Sequence, residues 1–330
     1  MIKNSKTSAP DRAAALSSRC GWWWAKNDND KALADCNESI RLNRSTAAAY
    51  LNRGNVYLSK SDFDRAFADF NEAIRLDPKS AWAYATRGNL YKNKGDFDHA
   101  IADLSESIRL DPAYALPHFS RGDLYRMKGD LARAMTDMND TVRLDPNYAL
   151  AYFTRGRLSY MLGNSPAALE DFGKAIKLNG DDATTYFNRG IAYYVTGGRT
   201  PDAVADFRKA LEINPKDAYA ALWFDLAERR VNAPSPLAEA SKQLDMTAWP
   251  APVIRHFLGE LSLEQTYAAA DPDPRMKAAQ ICEANFYGGE FALMKKNKKE
   301  AQRLLKLAAD SCPPSFVEST AALAELIPLK

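Results

Sequence analysis

The sequence predicts an all-α fold in which helical hairpins stack into a solenoid. An Arg-Gly pair returns every 34 residues, in five successive units, and apolar residues three and four positions apart accompany it. That apolar spacing is typical of one face of a helix. Most units close on Leu-Asp-Pro or a relative, where proline stops the second helix. A fixed period of this length is typical of repeat proteins, whose units pack on their immediate neighbours.

Each unit is predicted to be a helix–turn–helix. Small residues at matching positions, such as Gly54, Ala66 and Ala73, allow its two helices to approach closely. The segment KGDFD (94–98) is typical of the turn between them, because its glycine can adopt a left-handed conformation. In four repeats an aspartate lies sixteen positions after the arginine of the Arg-Gly pair: Asp69, Asp103, Asp137 and Asp171. This spacing predicts an Arg–Asp pair between the two helices.

The period of the sequence also predicts the organisation of the chain. We expect a flexible tail over 1–12, a repeat array over 13–230 and a helical C-terminal region over 231–330 with one divergent hairpin at about 280–313. The array comprises a degenerate first repeat and five regular ones: 13–46, 47–80, 81–114, 115–148, 149–182 and 183–217. Helices of the C-terminal region are predicted at about 236–245, 251–268, 275–296, 298–311 and 315–327.

The stretch RCGWWWAKND (19–28) belongs to the degenerate first repeat. A shift of 34 residues aligns it with the second repeat, so that Cys20 replaces the glycine and Trp23 takes a core position. Trp22 and Trp24 project to either side of Trp23 and are predicted to lie on an outer face of the repeat. They pack either under the preceding segment 11–18 or against another molecule, since exposed aromatic patches mark interfaces.

The 34-residue helix–turn–helix resembles the tetratricopeptide repeat (TPR) family over about residues 47 to 220. The resemblance implies a right-handed superhelix with a concave groove, lined by the first helix of each repeat, that binds proteins or peptides. The resemblance assigns residues to the groove by their distance from the glycine of the Arg-Gly pair. They are Asn55, Asn89, Lys92, Phe119, Asp123, Arg126, Phe153, Arg157, Tyr160, Phe187 and Tyr194, with Trp82 on the rim. The alternative is that the C-terminal helices of the chain itself fill part of this groove.

The composition of the predicted groove indicates its ligand. The groove position three residues before the repeated glycine is apolar, so the lysine–asparagine clamp with which some TPR domains hold a chaperone C-terminus is absent. Later repeats offer aromatic residues with interspersed arginines. This surface suits an extended or helical peptide with apolar anchors, and Arg126 and Arg157 are predicted to bind its carboxylates.

The C-terminal part carries a narrower resemblance. The stretches FNRGIAYY, ALWFDLAE, AWPAPVIRHFLGELSLEQ, CEANFYGGEFAL and FVESTAALAEL follow the order seen in the NlpI group of bacterial TPR lipoproteins, over about residues 186 to 328. The resemblance implies a dimeric, non-enzymatic scaffold of the cell envelope that holds murein hydrolases and a processing protease together. The chain departs from that group in having five regular repeats before the shared region and no lipobox.

The composition excludes several classes of function. A formal charge of +2 provides no basic face for nucleic acid, and no apolar run reaches the roughly 18–20 residues of a membrane span. The three histidines lie outside any metal-ligand or nucleophile motif, and no Gly-rich phosphate loop occurs. We therefore expect no catalytic residues, no metal, no cofactor and no small-molecule substrate. His118 occupies a tyrosine column and is interpreted as a packing residue.

The four cysteines are candidates for two disulfides. Cys20 and Cys36 lie on the two helices of one predicted hairpin, and Cys282 and Cys312 lie at the start and end of another. The alternative is four free thiols in the cytosol. This pairing and the NlpI resemblance favour the periplasm or cell envelope, whereas the missing signal peptide and lipobox favour the cytoplasm.

The sequence therefore predicts a non-catalytic adaptor for protein or peptide partners. The resemblance to the NlpI group implies a homodimeric cell-envelope adaptor for murein hydrolases or proteases. The alternatives are a self-assembling structural TPR protein and a regulatory module of a secretion or signalling complex.

Overall fold

The computed structural model of the 330-residue chain describes residues 8–313 and 316–329. Within these residues the regular structure is helical and contains no strand. The first compact unit, 1–146, contains α1 Ala9–Ala25, α2 Asn29–Leu42, α3 Ala47–Ser59, α4 Phe63–Leu76, α5 Ala81–Asn93, α6 Phe97–Leu110, α7 Ala115–Met127 and α8 Leu131–Leu144. The structure thus has four hairpins in this unit, one for each repeat predicted there.

The second compact unit, 147–330, begins with two more repeat hairpins and continues into non-repetitive helices. Its helices are α9 Ala149–Met161, α10 Ser165–Leu178, α11 Ala183–Val195, α12 Thr200–Ile213, α13 Ala218–Arg230, α14 Leu237–Ala240, α15 Ala251–Phe257, α16 Leu263–Ala268, α17 Pro274–Met294, α18 Lys298–Ser311 and α19 Val317–Leu326. Short 3-10 turns occupy Ser241–Gln243 and Ile327–Leu329.

Two predicted boundaries are wrong. The predicted tail over 1–12 is too long, because α1 begins at Ala9, where Ser8 caps it by accepting from the backbone N–H of Asp11; residues 1–7 lie outside the described residues. The single helix predicted over 251–268 is two helices. Gly259 has a φ of +80°, which ends α15, and Ser262 forms a capping box with Gln265 that starts α16.

The turn inside each of the first five repeat hairpins follows from two positions of the repeat. The residue before the second helix requires a side-chain oxygen that caps the helix, and Asp28, Asp62, Asp96, Asp130 and Asn164 supply it. The residue before each cap is left-handed, and glycine holds it in three repeats, with φ between +76° and +79°. Asn27 and Ser61 adopt the same conformation in the first two repeats.

The glycine column marks the closest approach of the two helices in a hairpin. A Cβ placed on Gly156 would lie 2.9 Å from the ring of Phe172 and 3.3 Å from the carbonyl oxygen of Ala168. Both neighbours are fully buried. No side chain fits at this position without displacing the second helix, because protein cores are close-packed.

We expect Gly156→Ala to lower the free energy of unfolding by about 1–3 kcal/mol, because the added methyl overpacks the hairpin. Gly173→Ala, on the partner helix α10, is the matched control. Its nearest neighbour would be Arg189 Nη1 at 3.9 Å, so the helix preference of alanine should raise stability by about 0.5–1 kcal/mol. Chemical denaturation measures both, and a loss of stability in both variants would contradict the proposed packing role of Gly156.

Disulfides join both cysteine pairs in the structure. Cys20 and Cys36, with Cα atoms 5.4 Å apart, link α1 to α2 at the positions that glycine and an apolar residue hold in the other repeats. Cys282 and Cys312, with Cα atoms 5.1 Å apart, link α17 to the end of α18. Each disulfide therefore closes one hairpin across its two antiparallel helices.

The core of the second unit is centred on Trp223 of α13, which is fully buried. Its ring lies 5.3 Å from those of both Tyr194 and Phe286, which come from α11 and α17. α17 and α18 form a hairpin with the repeat's close contact, since a Cβ on Gly289 would lie 2.7 Å from Leu305. The C-terminal helices thus pack on the last repeats through one continuous aromatic core.

Candidate functional site

The repeated arginines and aspartates form a ladder of ion pairs. The arginine of each first helix donates two hydrogen bonds, 2.5–2.9 Å long, to an aspartate of the second helix. The pairs are Arg19–Asp35, Arg53–Asp69, Arg87–Asp103, Arg121–Asp137, Arg155–Asp171 and Arg189–Asp206. The predicted Arg–Asp pairing is confirmed, so these carboxylates are structural.

In the first unit, three of the predicted groove residues form one charged cluster. Asp123 accepts from Lys92 at 2.6 Å and from Arg126 at 2.7 Å. Burial by itself would raise the pKa of Asp123, but the two cations outweigh it and hold the pKa below its ordinary value. Arg126 is thus already paired within the chain, and the cluster as a whole carries one positive charge.

The other predicted groove residues of the first unit differ in their exposure. Trp82, the predicted rim residue, is 46% exposed, whereas Asn55 is 4% exposed. Asn89 and Phe119 are partly buried. Among the described residues, Nδ2 of Asn55 has no hydrogen-bond acceptor. Trp82 is therefore accessible, whereas Asn55 is buried, and the prediction that Asn55 lines an open groove is wrong.

In the second unit, Tyr160 and Tyr194 do not line an open groove, and this part of the prediction is wrong. Tyr160 is 5% exposed and packs against Phe316 and α19. Tyr194 is 1% exposed and donates to Glu290 Oε2 of α17 at 2.7 Å. The C-terminal helices of the chain itself cover both side chains, which corresponds to the alternative stated for the groove.

Phe153, Arg157 and Phe187 remain partly accessible. Phe153 packs on Phe172, with ring centroids 6.0 Å apart, and Phe187 packs on Phe207 in the same way. Arg157 and Phe187 line a cavity of about 430 Å³, which we call the unit-2 cavity. The lining of the unit-2 cavity also includes Tyr219, Glu283, Phe316 and Glu318.

Two buried carboxyl groups lie in the wall of the unit-2 cavity. Glu283 accepts from the Tyr219 hydroxyl at 2.9 Å and from Trp249 Nε1 at 2.6 Å. Glu318 accepts from the Tyr287 hydroxyl at 3.2 Å. Burial raises the pKa of Glu283, and burial reinforced by the nearby Glu283 raises the pKa of Glu318 to about 7.

No pattern in the sequence predicts this pair of carboxyl groups. Tyr219 and Glu283 are 64 positions apart. Glu283 and Glu318 lie in two of the stretches that resemble the NlpI group, but no repeated spacing links them. The one available signal was the place of each acidic residue inside an apolar helical stretch, CEANFY and FVESTAAL. Residues of this kind are seldom buried unless they are paired.

The two candidate self-association residues have different environments. Trp22 is 52% exposed and remains a candidate. Trp24 is partly buried: its Nε1 donates to Ser59 Oγ of α3 at 2.9 Å, and its ring packs on the core that includes Val56. Trp24 therefore joins the first repeat to the second. A role for Trp24 in self-association stays a prediction.

His118, Asp137 and Asp140 bring potential metal-ligand atoms within 4.8 Å of one another. His118 Nδ1 lies 3.6 Å from Asp137 and 3.9 Å from Asp140. Both oxygens of Asp137 already accept from Arg121, so this group extends the Arg–Asp ladder. His118 is 6% exposed, as a packing residue should be.

The fold and these surfaces define a helical-repeat protein, and comparison with known families specifies the repeat. The family described as TPR repeat matches residues 54–95 and 88–129, and that described as tetratricopeptide repeat matches residues 150–218. The chain therefore contains tetratricopeptide repeats over these residues, and the predicted all-α fold class is confirmed. Proteins with this repeat typically act as interaction scaffolds.

Solved structures support the same assignment. YrrB, described as a TPR protein with an unusual peptide-binding site, is 25% identical with a TM-score of 0.50, over 57% of this chain and 95% of YrrB. PilF of Pseudomonas aeruginosa is 15% identical with a TM-score of 0.60, over 68% and 99% of the two chains. The type IV pilus biogenesis factor PilW is 15% identical with a TM-score of 0.55, over 63% and 96%. PilF and PilW show the fold alone.

No helix in the described part of the chain is long and apolar enough to cross a membrane.

Proposed function

We propose that the protein is a non-catalytic scaffold that binds an extended segment of a partner protein at the unit-2 cavity. The observation that carries the proposal is the position of this cavity. It lies on the first-helix side of the repeats, where TPR proteins bind peptides, and it is lined by Arg157 and Phe187 from the predicted groove. A cavity of about 430 Å³ accommodates one or two side chains of an extended peptide.

The similarity to YrrB supports a peptide ligand, since YrrB is described as having an unusual peptide-binding site. The unit-2 cavity differs from a groove formed by repeats alone, because Glu283, Phe316 and Glu318 of the C-terminal helices complete its wall. Aromatic anchors in a partly enclosed pocket are typical of the positions that dominate binding energy at interfaces.

The narrower proposal places the partners in the cell envelope, as murein hydrolases or proteases. Its support is the resemblance of residues 186 to 328 to the NlpI group and the two disulfides, which form and persist in oxidising compartments. The oxidation state of the four cysteines in cells distinguishes an envelope protein from a cytoplasmic one.

We expect Phe187→Ala to weaken peptide binding by roughly tenfold, because it removes an aromatic wall of the cavity. The measurement begins with ten-residue peptides that the full chain selects from a random displayed library. Fluorescence anisotropy then compares the affinities of the variants for those peptides.

Phe153→Ala is the matched control. It removes the same side chain one repeat earlier, outside the lining of the unit-2 cavity, and should leave the affinity within about threefold of the wild type. Equal losses in the two variants, or no selected peptide at all, would contradict the assignment of the site.

A further inference from the structure

We propose that the unit-2 cavity binds a cationic side chain, lysine or arginine, of the partner peptide. This inference rests on the proposed function and specifies its ligand. The starting observation is the charge of the cavity wall, which contains the carboxyl groups of Asp217, Glu283 and Glu318 and the single guanidinium of Arg157. Asp217 caps α13 by accepting from the backbone N–H groups of Tyr219 and Ala220, each at 3.0 Å.

Glu283 and Glu318 differ from the other buried carboxylates of the second unit. Each of the others has an arginine partner within the unit: Asp171 with Arg155, Asp206 with Arg189, Asp225 with Arg229 and Glu290 with Arg230. Glu283 accepts from Tyr219 and Trp249, Glu318 accepts from Tyr287, and in the parts of the chain that the structure describes neither forms an ion pair. Buried charges in proteins are normally paired.

The geometry leaves one oxygen of Glu283 available to a ligand. Both of its donors, Tyr219 and Trp249, reach the same atom, Oε2. Across residues 8–313 and 316–329, Oε1 of Glu283 has no hydrogen-bond donor, and it belongs to a residue in the cavity wall. A cation entering the cavity would pair with this oxygen and with Glu318 together.

The rest of the wall suits the shape of a long cationic side chain. Phe187, Tyr219 and Phe316 line the same cavity. Aromatic faces attract an ammonium or guanidinium group, and they also cover the methylene stem that carries it. The raised pKa values of Glu283 and Glu318 are what two neighbouring buried carboxyl groups show when no cation accompanies them.

The test uses the full chain and the peptides selected from the random library. In each selected peptide, a lysine is replaced by norleucine or an arginine by citrulline, which removes the charge and keeps the aliphatic stem of the side chain. We expect this replacement to weaken binding to the wild type by roughly tenfold or more. Glu283→Gln and Glu318→Gln should each abolish most of the difference in affinity between the charged and the neutral peptide.

Glu290→Gln is the matched control, because Glu290 is equally buried on α17 but contacts Tyr194 and Arg230 outside this cavity. It should keep the preference for the charged peptide. Selected peptides that bind equally well without their charge, or a preference that survives both Glu283→Gln and Glu318→Gln, would overturn the inference while the proposed function stands. If the full chain selects no peptide, the proposed function fails together with the inference.

Discussion

Arg87→Met should lower the free energy of unfolding by about 3 kcal/mol, because it leaves Asp103 without its cation in a mostly buried position. Arg87 donates to Asp103 at 2.7 and 2.8 Å and, through Nη1, to Asn71 of the preceding repeat at 2.8 Å. One arginine therefore fixes its own hairpin and the hairpin before it. Urea denaturation of the full chain, followed by circular dichroism, measures the loss.

Arg109→Met provides the matched control for this prediction. Arg109 forms a bidentate ion pair with Glu106, with hydrogen bonds of 2.6 and 2.8 Å. The geometry is similar to that of Arg87 and Asp103, but this pair lies on the solvent face of α6. Surface pairs contribute little, so this variant should unfold close to the wild type. The double variant Arg87→Met/Asp103→Leu should recover most of the lost stability, because it removes the unpaired charge. Equal destabilisation by Arg87→Met and Arg109→Met would show that burial of the pair is unimportant.

Glu318→Gln should make the protein more stable at pH 8 and change its stability little at pH 5. The pKa of Glu318 is raised from 4.5 to about 7 in the folded chain, so between these values the folded state binds more protons than the unfolded state. The free energy of unfolding therefore falls as pH rises from about 4.5 to 7, by up to about 3 kcal/mol from this group. Because glutamine cannot ionise, the variant lacks this fall in the free energy of unfolding.

Thermal unfolding of the wild type and Glu318→Gln at pH 5 and pH 8 tests this prediction. The groups that face or couple to Glu318 are Glu283, Tyr287, Tyr219 and Tyr160. Glu283 and Glu290 add their own pH dependence, so the meaningful quantity is the difference between variant and wild type at each pH. A variant that is less stable than the wild type at pH 8 would refute the prediction.

Together, the stability and binding predictions for Glu318 test whether this residue serves function at the expense of stability. A carboxyl group that weakens the fold above pH 7 and yet selects a charged ligand would be a local conflict of the kind found at functional sites. If Glu318→Gln is both more stable and indifferent to the charge of the peptide, both predictions hold for one residue. If it is more stable but keeps the preference, Glu318 affects stability alone.

Much of this fold could be predicted from the sequence because its contacts are local and periodic. The Arg–Asp pairs join residues sixteen or seventeen positions apart, and the capping aspartates and left-handed glycines act within a few residues of one turn. Such interactions repeat with the sequence period, so five similar units indicate the hairpin more strongly than one unit would.

The tertiary structure alone decided which predicted groove residues remain accessible. Tyr194 belongs to the same column as Lys92 and Arg126, yet it is buried because α17 places Glu290, 96 positions away, on its hydroxyl. Similarly, the unit-2 cavity depends on α13, α17 and α19, and the sequence period does not give the packing of these three helices against one another. The repeat determined the hairpins through short-range contacts. The site required long-range packing of non-repetitive helices, because only that packing sets which side chains are desolvated and which charges are left without a partner.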